Sequence, residues 1–550
     1  MTMSPPLRSA DCVMRLSRLG AAHMSRLSFS RSLLRRARRC GWAMRRARFD
    51  LDRQGYGAAV YAVDLGGRTV SLVAFSHHLA EDMRSDRVIA TAWDTTFVLY
   101  DGVPDDAELA RLRASVPLQE AGRFSRRELI LARANKSVRS FEHVVSALAE
   151  GRQPEARPLR EAGYLLRTSA VYGNGKFGIA DHEEVAAIPG LEGCFTAEML
   201  TVWLIRSFSV DLAEHCAGAR AEAAGGRAAR LSPALRRDLG VGNATGLGMA
   251  PFIVRHPVLL HRWVRQREKA LAEALIVRRL DAPRRDRLAA MIGVWGRKAD
   301  FWVASGPEQI EAIEELRRDL PRLATIAAEA ADPSALLAAA EEELGAEARA
   351  LTISLLIDSA REDDEDDLAA MAAEGSGLVA IDGAGSCREA LDRLREAYDW
   401  ALRYDFAEAD ADARFWYTSQ EKAEPRIGWR DADEGDALEL PLGVAREIQR
   451  LAAALAASPA DQGLDAFLAR HPEHRQALRR FQVTTGRPYA EIRDNLLDAT
   501  VEPQDLMRTK LAFLGADLFD PGADMGVRVR FFQGAPYPDN PARDAGDGLW

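Results

Sequence analysis

Ala58-Ala-Val-Tyr-Ala-Val-Asp-Leu-Gly-Gly-Arg-Thr-Val-Ser-Leu-Val-Ala-Phe75 is the stretch that decides the fold class. Two runs rich in β-branched and aromatic residues flank Gly66-Gly67. Paired glycines between such runs are a hairpin signal, because a two-residue turn between twisted strands needs positive φ. Val88 to Tyr100 extends the pattern to a third strand, with room for a fourth, and Asp101-Gly102 punctuates it. From about Phe49 to Gly102 the chain therefore reads as a small antiparallel sheet.

Working outward, the texture turns helical. Asp105 to Ala114 opens with acids, which suit a helix N-terminus. Ser125 to Glu150 has apolar spacing and caps of a helix, and Pro154 to Pro158 reads as a linker. Phe195 to Ala217 is apolar on most faces and predicts a central buried helix. Val258 to Arg279 and Gln309 to Leu323 are amphipathic. Pro333 to Leu356 reads as one long Ala/Glu/Leu helix. Cys387 to Tyr404, Leu442 to Ala457 and Gly463 to Phe481 predict further helices, and Val527 to Phe532 alternates like an edge strand in a Pro/Gly/Asp-rich tail. The fold class expected is α+β, predominantly α-helical, with a small N-terminal antiparallel sheet followed by helical domains. The expected divisions are a basic segment at 1–48, a small α+β domain at 49–155, a helical domain at 156–360, a C-terminal helical domain at 361–520 and an extended tail at 521–550.

Bulk numbers bound the function. At 550 residues the chain exceeds one ordinary core. Its net charge of −9 argues against whole-surface affinity for nucleic acid. No apolar run approaches the roughly 18–20 residues that span a bilayer. Five cysteines are scattered without a CxxC pair, which fits a reducing cytoplasm and no disulfide framework. The Ala/Arg/Gly/Asp-heavy composition points to a GC-rich bacterial gene. The first 48 residues hold twelve arginines and one acid, Asp11. Such a start serves as a transit peptide, a nucleic-acid arm or an anionic-membrane helix. The plainer reading is a basic helix lying on the fold, with Met14 or Met24 as the initiator.

Three segments crowd glycines or aromatics together with ionisable groups. In Tyr172-Gly-Asn-Gly-Lys-Phe-Gly178, backbone N–H groups and an ammonium converge as an anion would require. Ala170 and Phe177 break the GxxxxGK[ST] pattern, so it is no P-loop. The Tyr172-x-x-x-Lys176 spacing matches the pair of short-chain dehydrogenases, but Gly173 and Gly175 oppose the helix that pair needs, and that family is rejected. In Gly242-Asn-Ala-Thr-Gly-Leu-Gly-Met249, Asn243 and Thr245 offer hydrogen bonds to a ligand or a helix cap. In Phe415-Trp-Tyr-Thr-Ser-Gln-Glu-Lys-Ala-Glu-Pro-Arg426, a buried Glu421–Lys422 pair would have both pKa values drawn toward neutrality. Tyr172, Lys176, Glu421 and Lys422 are the catalytic expectations. Asn174, Asn243, Thr245, Tyr417, Ser419, Glu424 and Arg426 are the expected substrate contacts.

No metal ligands are assigned. His256 and His261 stand five apart, and His471-x-x-His474 lies in a charged stretch. Arg133 to Ser137 is read as a cationic helix face, and Arg206 inside the apolar helix is expected to pair with Glu198 or a distant acid. Two readings follow. One is a bacterial enzyme acting on a small carboxylate or phosphate metabolite in a pocket built from the three segments. The alternative is a non-catalytic scaffold or ligand sensor docking through residues 1–48, the one place where nucleic acid would bind. Cofactor and oligomeric state are not specified by these residues.

Overall fold

The computed structural model describes residues 6–14, 23–80, 93–117, 124–168, 184–193, 195–244, 257–302, 307–359, 381–407, 415–419, 424–428, 437–439, 443–491, 511–519 and 528–539. Its strands are β1 (Ala43–Leu51), β2 (Gly57–Asp64), β3 (Thr69–Ser76), β4 (Thr95–Asp101), β5 (Glu128–Lys136), β6 (Tyr164–Thr168), β7 (Gly240–Ala244), β8 (Phe415–Ser419), β9 (Glu424–Gly428), β10 (Ala437–Glu439), β11 (Ala516–Phe519) and β12 (Arg528–Phe531). Nine of them form one sheet in the order β1-β2-β3-β4-β5-β6-β7-β12-β11, and β10-β8-β9 form a second. The architecture is mixed α+β, but the sheet is not small. It takes in chain from both ends of the molecule.

The β2–β3 hairpin is as read. Gly66 and Gly67 sit at φ 85° and 114°, and the Asp64 carboxylate accepts the Gly66 N–H at 2.9 Å. Period-2 alternation explains why the strands read as continuous apolar runs. Ala59, Tyr61, Val63, Leu72 and Ala74 face the large core. Ala58, Val60, Val73 and Phe75 face a smaller cluster with Leu109 and Leu112. A sheet covered on both faces loses its polar alternation.

The helices used below are α1 (Ala10–Val13), α2 (Phe29–Arg39), α3 (Asp106–Ser115), α4 (Val138–Ala149), α5 (Ala156–Ala162), α6 (Thr196–Ala223), α7 (Pro233–Asp238), α8 (Pro257–Leu275), α9 (Ala282–Ala299), α10 (Pro307–Glu329), α11 (Pro333–Glu343), α12 (Ala346–Ser359), α13 (Cys387–Ala397), α14 (Asp399–Leu402), α15 (Gly443–Ala457), α16 (Leu464–Arg470) and α17 (Arg475–Thr485). The small core behind the sheet is closed by α3. The large core is centred on α6, which buries Leu200, Trp203, Leu204, Phe208 and Leu212. A separate core joins α13, α15, α16 and α17 around Leu394, Leu451, Phe467 and Leu478.

Several local readings change. The predicted helix from Ser125 is a strand followed by a helix, because Glu128–Lys136 pairs with β4 and β6 on both sides. Arg133 and Lys136 therefore lie on a strand. The alternating tail segment is an interior strand, with β12 between β7 and β11. The long helix from Pro333 divides at Leu344-Gly345, where the Asp319 carboxylate accepts the Gly345 N–H at 2.7 Å. The sheet also crosses the sequence division near 155, since β5 pairs with β6.

The basic N-terminal segment is tied into the fold. On α2, Phe29, Leu33 and Leu34 are buried. Arg31 pairs with Asp358 at 2.5 Å, and Arg8 meets Glu268 with two 2.6 Å hydrogen bonds. Trp263 Nε1 donates to the Leu27 carbonyl at 3.1 Å. The acidic run at 361–367 lies outside the described residues. No described helix is long and apolar enough to cross a membrane.

Arg206 is fully buried on α6, and its partner is not an acid. Its Nε donates to the Leu239 carbonyl at 2.6 Å, and Nη1 donates to the Ala535 and Pro536 carbonyls at 2.7 and 3.2 Å. Nη2 reaches the Arg237 carbonyl at 3.2 Å. The guanidinium lies 3.9 Å from the Tyr537 ring centroid. Burial lowers its pKa to about 10. Carbonyl dipoles and a ring face replace water here without a formal counter-charge. Replacing Arg206 by Leu strands these carbonyls, and the unfolding free energy in denaturant should fall by about 3 kcal/mol or more. Arg206→Lys, with too few donors in the wrong geometry, should recover less than half of that.

Candidate anion site

The three segments singled out in the sequence meet different fates. Tyr172, Asn174 and Lys176 lie outside the described residues, as do Thr245, Glu421 and Lys422. Asn243 is on β7 and buried. Its Nδ2 donates to the Thr168 carbonyl at 2.8 Å, so the amide binds two strands together. Thr168 and Asn243 are also register partners in the parallel β6–β7 pair. Tyr417 and Ser419 are on β8, Glu424 and Arg426 on β9, in the register Tyr417↔Arg426 and Ser419↔Glu424. The third segment is a hairpin in the second sheet, and Pro425 sits on the edge strand, which tolerates its missing donor.

A cleft of about 240 Å³ opens elsewhere, between α5, the end of α7, the end of α9 and the chain around β12. Arg160, Arg237, Arg297, Lys298 and Arg530 line it, together with one carboxylate, Asp238, and the ring of Phe301. Each cation is placed by local structure. Ser232 caps α7, accepting the Leu235 N–H at 3.4 Å, and so sets Arg237 and Asp238 at its far end. Asp281 caps α9 through the Arg284 N–H at 3.0 Å, which brings Arg297 and Lys298 to the last turn. Cations there complement the helix dipole.

The floor is held by its own hydrogen bonds. Lys298 Nζ lies 3.0 Å from the buried Asp517 carboxylate. Arg160 pairs with Asp238 at 2.5 Å. Arg530 Nη1 donates to the Arg160 carbonyl at 3.2 Å, and Gln533 Nε2 donates to the Asp238 carbonyl at 2.9 Å. Arg237 Nε donates to the Gly534 carbonyl at 3.1 Å. Five cations therefore face two carboxylates, counting Asp517 behind Lys298. Burial pushes the pKa of Lys298 down, with Arg530 and Arg31 adding to the effect against Asp517. Burial also lowers that of Arg530. Asp517 offsets part of that cost for both groups. Arg297, exposed at the rim, makes no hydrogen bond or ion pair with a described residue. As structural pieces, these cations cap a helix and anchor β12. That role accounts for Arg160, Lys298 and Arg530, and leaves Arg297 and the concavity unexplained.

Neither a protein-family model, nor a curated protein, nor a solved structure matches this chain. The chemistry of the cleft is accordingly the evidence for function.

A second polar group sits at the sheet end. Asn135 Oδ1 accepts the Asp94 N–H at 2.8 Å, and the Asp94 carboxylate accepts the Lys136 N–H at 2.9 Å. His77 has its pKa lowered by burial, and Tyr56 Oη lies 3.1 Å from His78 Nδ1. The Asp94 bonds tie the entry of β4 to the end of β5, and the Tyr56–His78 contact ties the entry of β2 to the exit of β3. His261 is buried beside Tyr489, with ring centroids 6.1 Å apart. His256 lies outside the described residues.

Two predictions follow from this geometry. A Cβ on Gly163, which has φ +70°, would lie 2.6 Å from Arg530 Cδ. At Gly151, φ +75°, the nearest atom would be 3.5 Å away. Gly163→Ala should cost about 1–3 kcal/mol and more than Gly151→Ala, measured by chemical denaturation; equal costs would mean Arg530 is not held against that backbone. The second concerns pH. Burial, aided by Arg487, Arg265 and Arg262, drives the His261 pKa down to about 4. The unfolded chain then takes up the proton first, so stability is lost as pH falls from about 6.5 through 4. In His261→Gln this part of the acid loss should vanish, and the stability gap to wild type should narrow steadily over that interval.

Proposed function

We propose that this protein binds a small phosphate- or carboxylate-bearing molecule in the cleft formed by Arg160, Arg237, Arg297, Lys298, Phe301 and Arg530. The observation that carries the reading is the convergence of five cations on one concave site. A volume of about 240 Å³ suits a compact ligand, below the usual range of drug-sized pockets, roughly 300–1,000 Å³. Guanidinium groups offer forked N–H donors to planar or tetrahedral oxyanions, and partial burial strengthens each contact. The apolar faces of Val294 and Phe301 would take the uncharged part of the ligand. The anionic ligand expected from the sequence is retained, on different residues. Acid–base chemistry on that ligand by Tyr172, Lys176, Glu421 or Lys422 is the enzymatic extension of this reading.

Arg297→Ala is the clean test, because Arg297 is exposed and its loss should change stability by no more than about 0.5 kcal/mol. In a thermal-shift screen of inorganic phosphate, sulfate, citrate, sugar phosphates and nucleoside phosphates, at least one should raise the melting temperature of the wild type. The variant should bind that ligand about tenfold more weakly, a difference near 1.4 kcal/mol. Equal shifts in both proteins, or no shift with any anion, would overturn the assignment.

A further inference from the structure

We propose that His471, Glu473 and His474 form a binding site for a divalent transition metal, with zinc the best fit to the donor set. One ligand atom from each of the three lies within 4.8 Å of the others. His471 Nδ1 is 3.3 Å from Glu473 Oε1, and His474 Nε2 is 3.8 Å from the same oxygen. Ligands about 2.0–2.1 Å from a tetrahedral ion stand about 3.3–3.4 Å apart. The first separation already matches, the second needs a shift of a few tenths of an ångström, and the two imidazole nitrogens, within 4.8 Å of one another, must draw together as the ion binds. Glu473 is 61% exposed and free to make it.

The backbone prearranges these donors. His471 ends α16, and Pro472–His474 is a single 3₁₀ turn leading into α17. His471 stands just before that turn at φ −128° and ψ 61°, so non-helical backbone sets the placement of its ring. The His471 N–H donates to the Phe467 carbonyl at 2.9 Å, and the His474 N–H donates to the His471 carbonyl at 3.1 Å. Both imidazoles rest on the fully buried Phe467, with centroids 5.0 and 6.1 Å from its ring. Little ordering is left for the metal to impose. An exposed His–Glu ion pair alone contributes little and does not explain two rings planted on one phenyl platform.

Two nitrogens and one carboxylate oxygen are a set that zinc accepts, with a fourth position open to water. Arg470 and Arg475 flank the turn in sequence, and Arg450 adds positive field at His474. Those charges oppose a cation and weaken the site. A bound ion would staple α16 to α17 across the turn. The site is independent of the anion cleft.

The test is calorimetric titration of the full, tag-free chain with Zn²⁺, repeated with Co²⁺ while recording visible absorption. Wild type should take up one ion at this turn and show the intense bands of four-coordinate cobalt. His474→Ala and Glu473→Gln should each weaken uptake at least about tenfold, with unchanged helical circular dichroism. Absence of uptake by wild type overturns the site. So does equal uptake by wild type and a His471→Ala/His474→Ala double variant, which would place the ion on other histidines.

Discussion

The guanidinium of Arg206 is the point on which this fold turns. It stands on the central helix and accepts no carboxylate partner. Its donors are spent on carbonyls that precede β7 and follow β12. Those two strands are neighbours in the sheet although nearly 300 residues separate them. Trp203, one turn earlier on α6, adds a hydrogen bond from Nε1 to the Pro536 carbonyl at 2.8 Å. A buried cation costs several kcal/mol unless its donors are satisfied, so this arrangement specifies one seating of the C-terminal segment. Any register slip between β7 and β12 would leave the cation and the carbonyls without partners.

The basic cleft inherits its geometry from that clamp. Arg237 and Asp238 come from the turn before β7, and Arg530, Gln533 and Gly534 from β12 and its exit. Arg206 holds both by their main chain. Asp358, Glu268 and Asp211 pair with Arg31, Arg8 and Arg46 of the N-terminal segment. Pairing of this kind gives little net stability and much specificity of placement. The arginines that look in sequence like a docking arm therefore act, in large part, as ties between the first residues and the core.

Local signals were legible where the physics is local. The Gly66-Gly67 turn, the apolar stretch that became α6, and the C-terminal helices follow from turn chemistry and periodicity within a few residues. The Ser386/Glu389 capping box marks the start of α13 in the same way. Leu129-Ile-Leu-Ala-Arg-Ala134 carries both a helical and a strand pattern. Pairing with β4 and β6 decides it, and neither partner lies within its own window. The same holds for β12, whose alternation reads as an edge until β7 and β11 enclose it. The cations of the cleft were missed for a related reason. Arg160 and Arg530 are 370 positions apart, and each alone resembles a surface arginine. The His471-x-x-His474 spacing carries no metal signal in the sequence because it lies in a charged stretch, and the non-helical backbone at His471 that sets its ring near His474 is not readable from spacing.

By itself the sequence determined the α+β class, the first hairpin, the buried central helix and the charge that an acidic chain with a basic start must accommodate. These depend on backbone sterics, apolar periodicity and composition, which act between near neighbours. Tertiary structure alone decided that nine strands make one sheet, that the last strands form its far edge, and that cations from four separate segments share a cleft. Those outcomes rest on hydrogen-bond pairing and charge compensation between residues hundreds of positions apart, and no local pattern encodes which partner will be met.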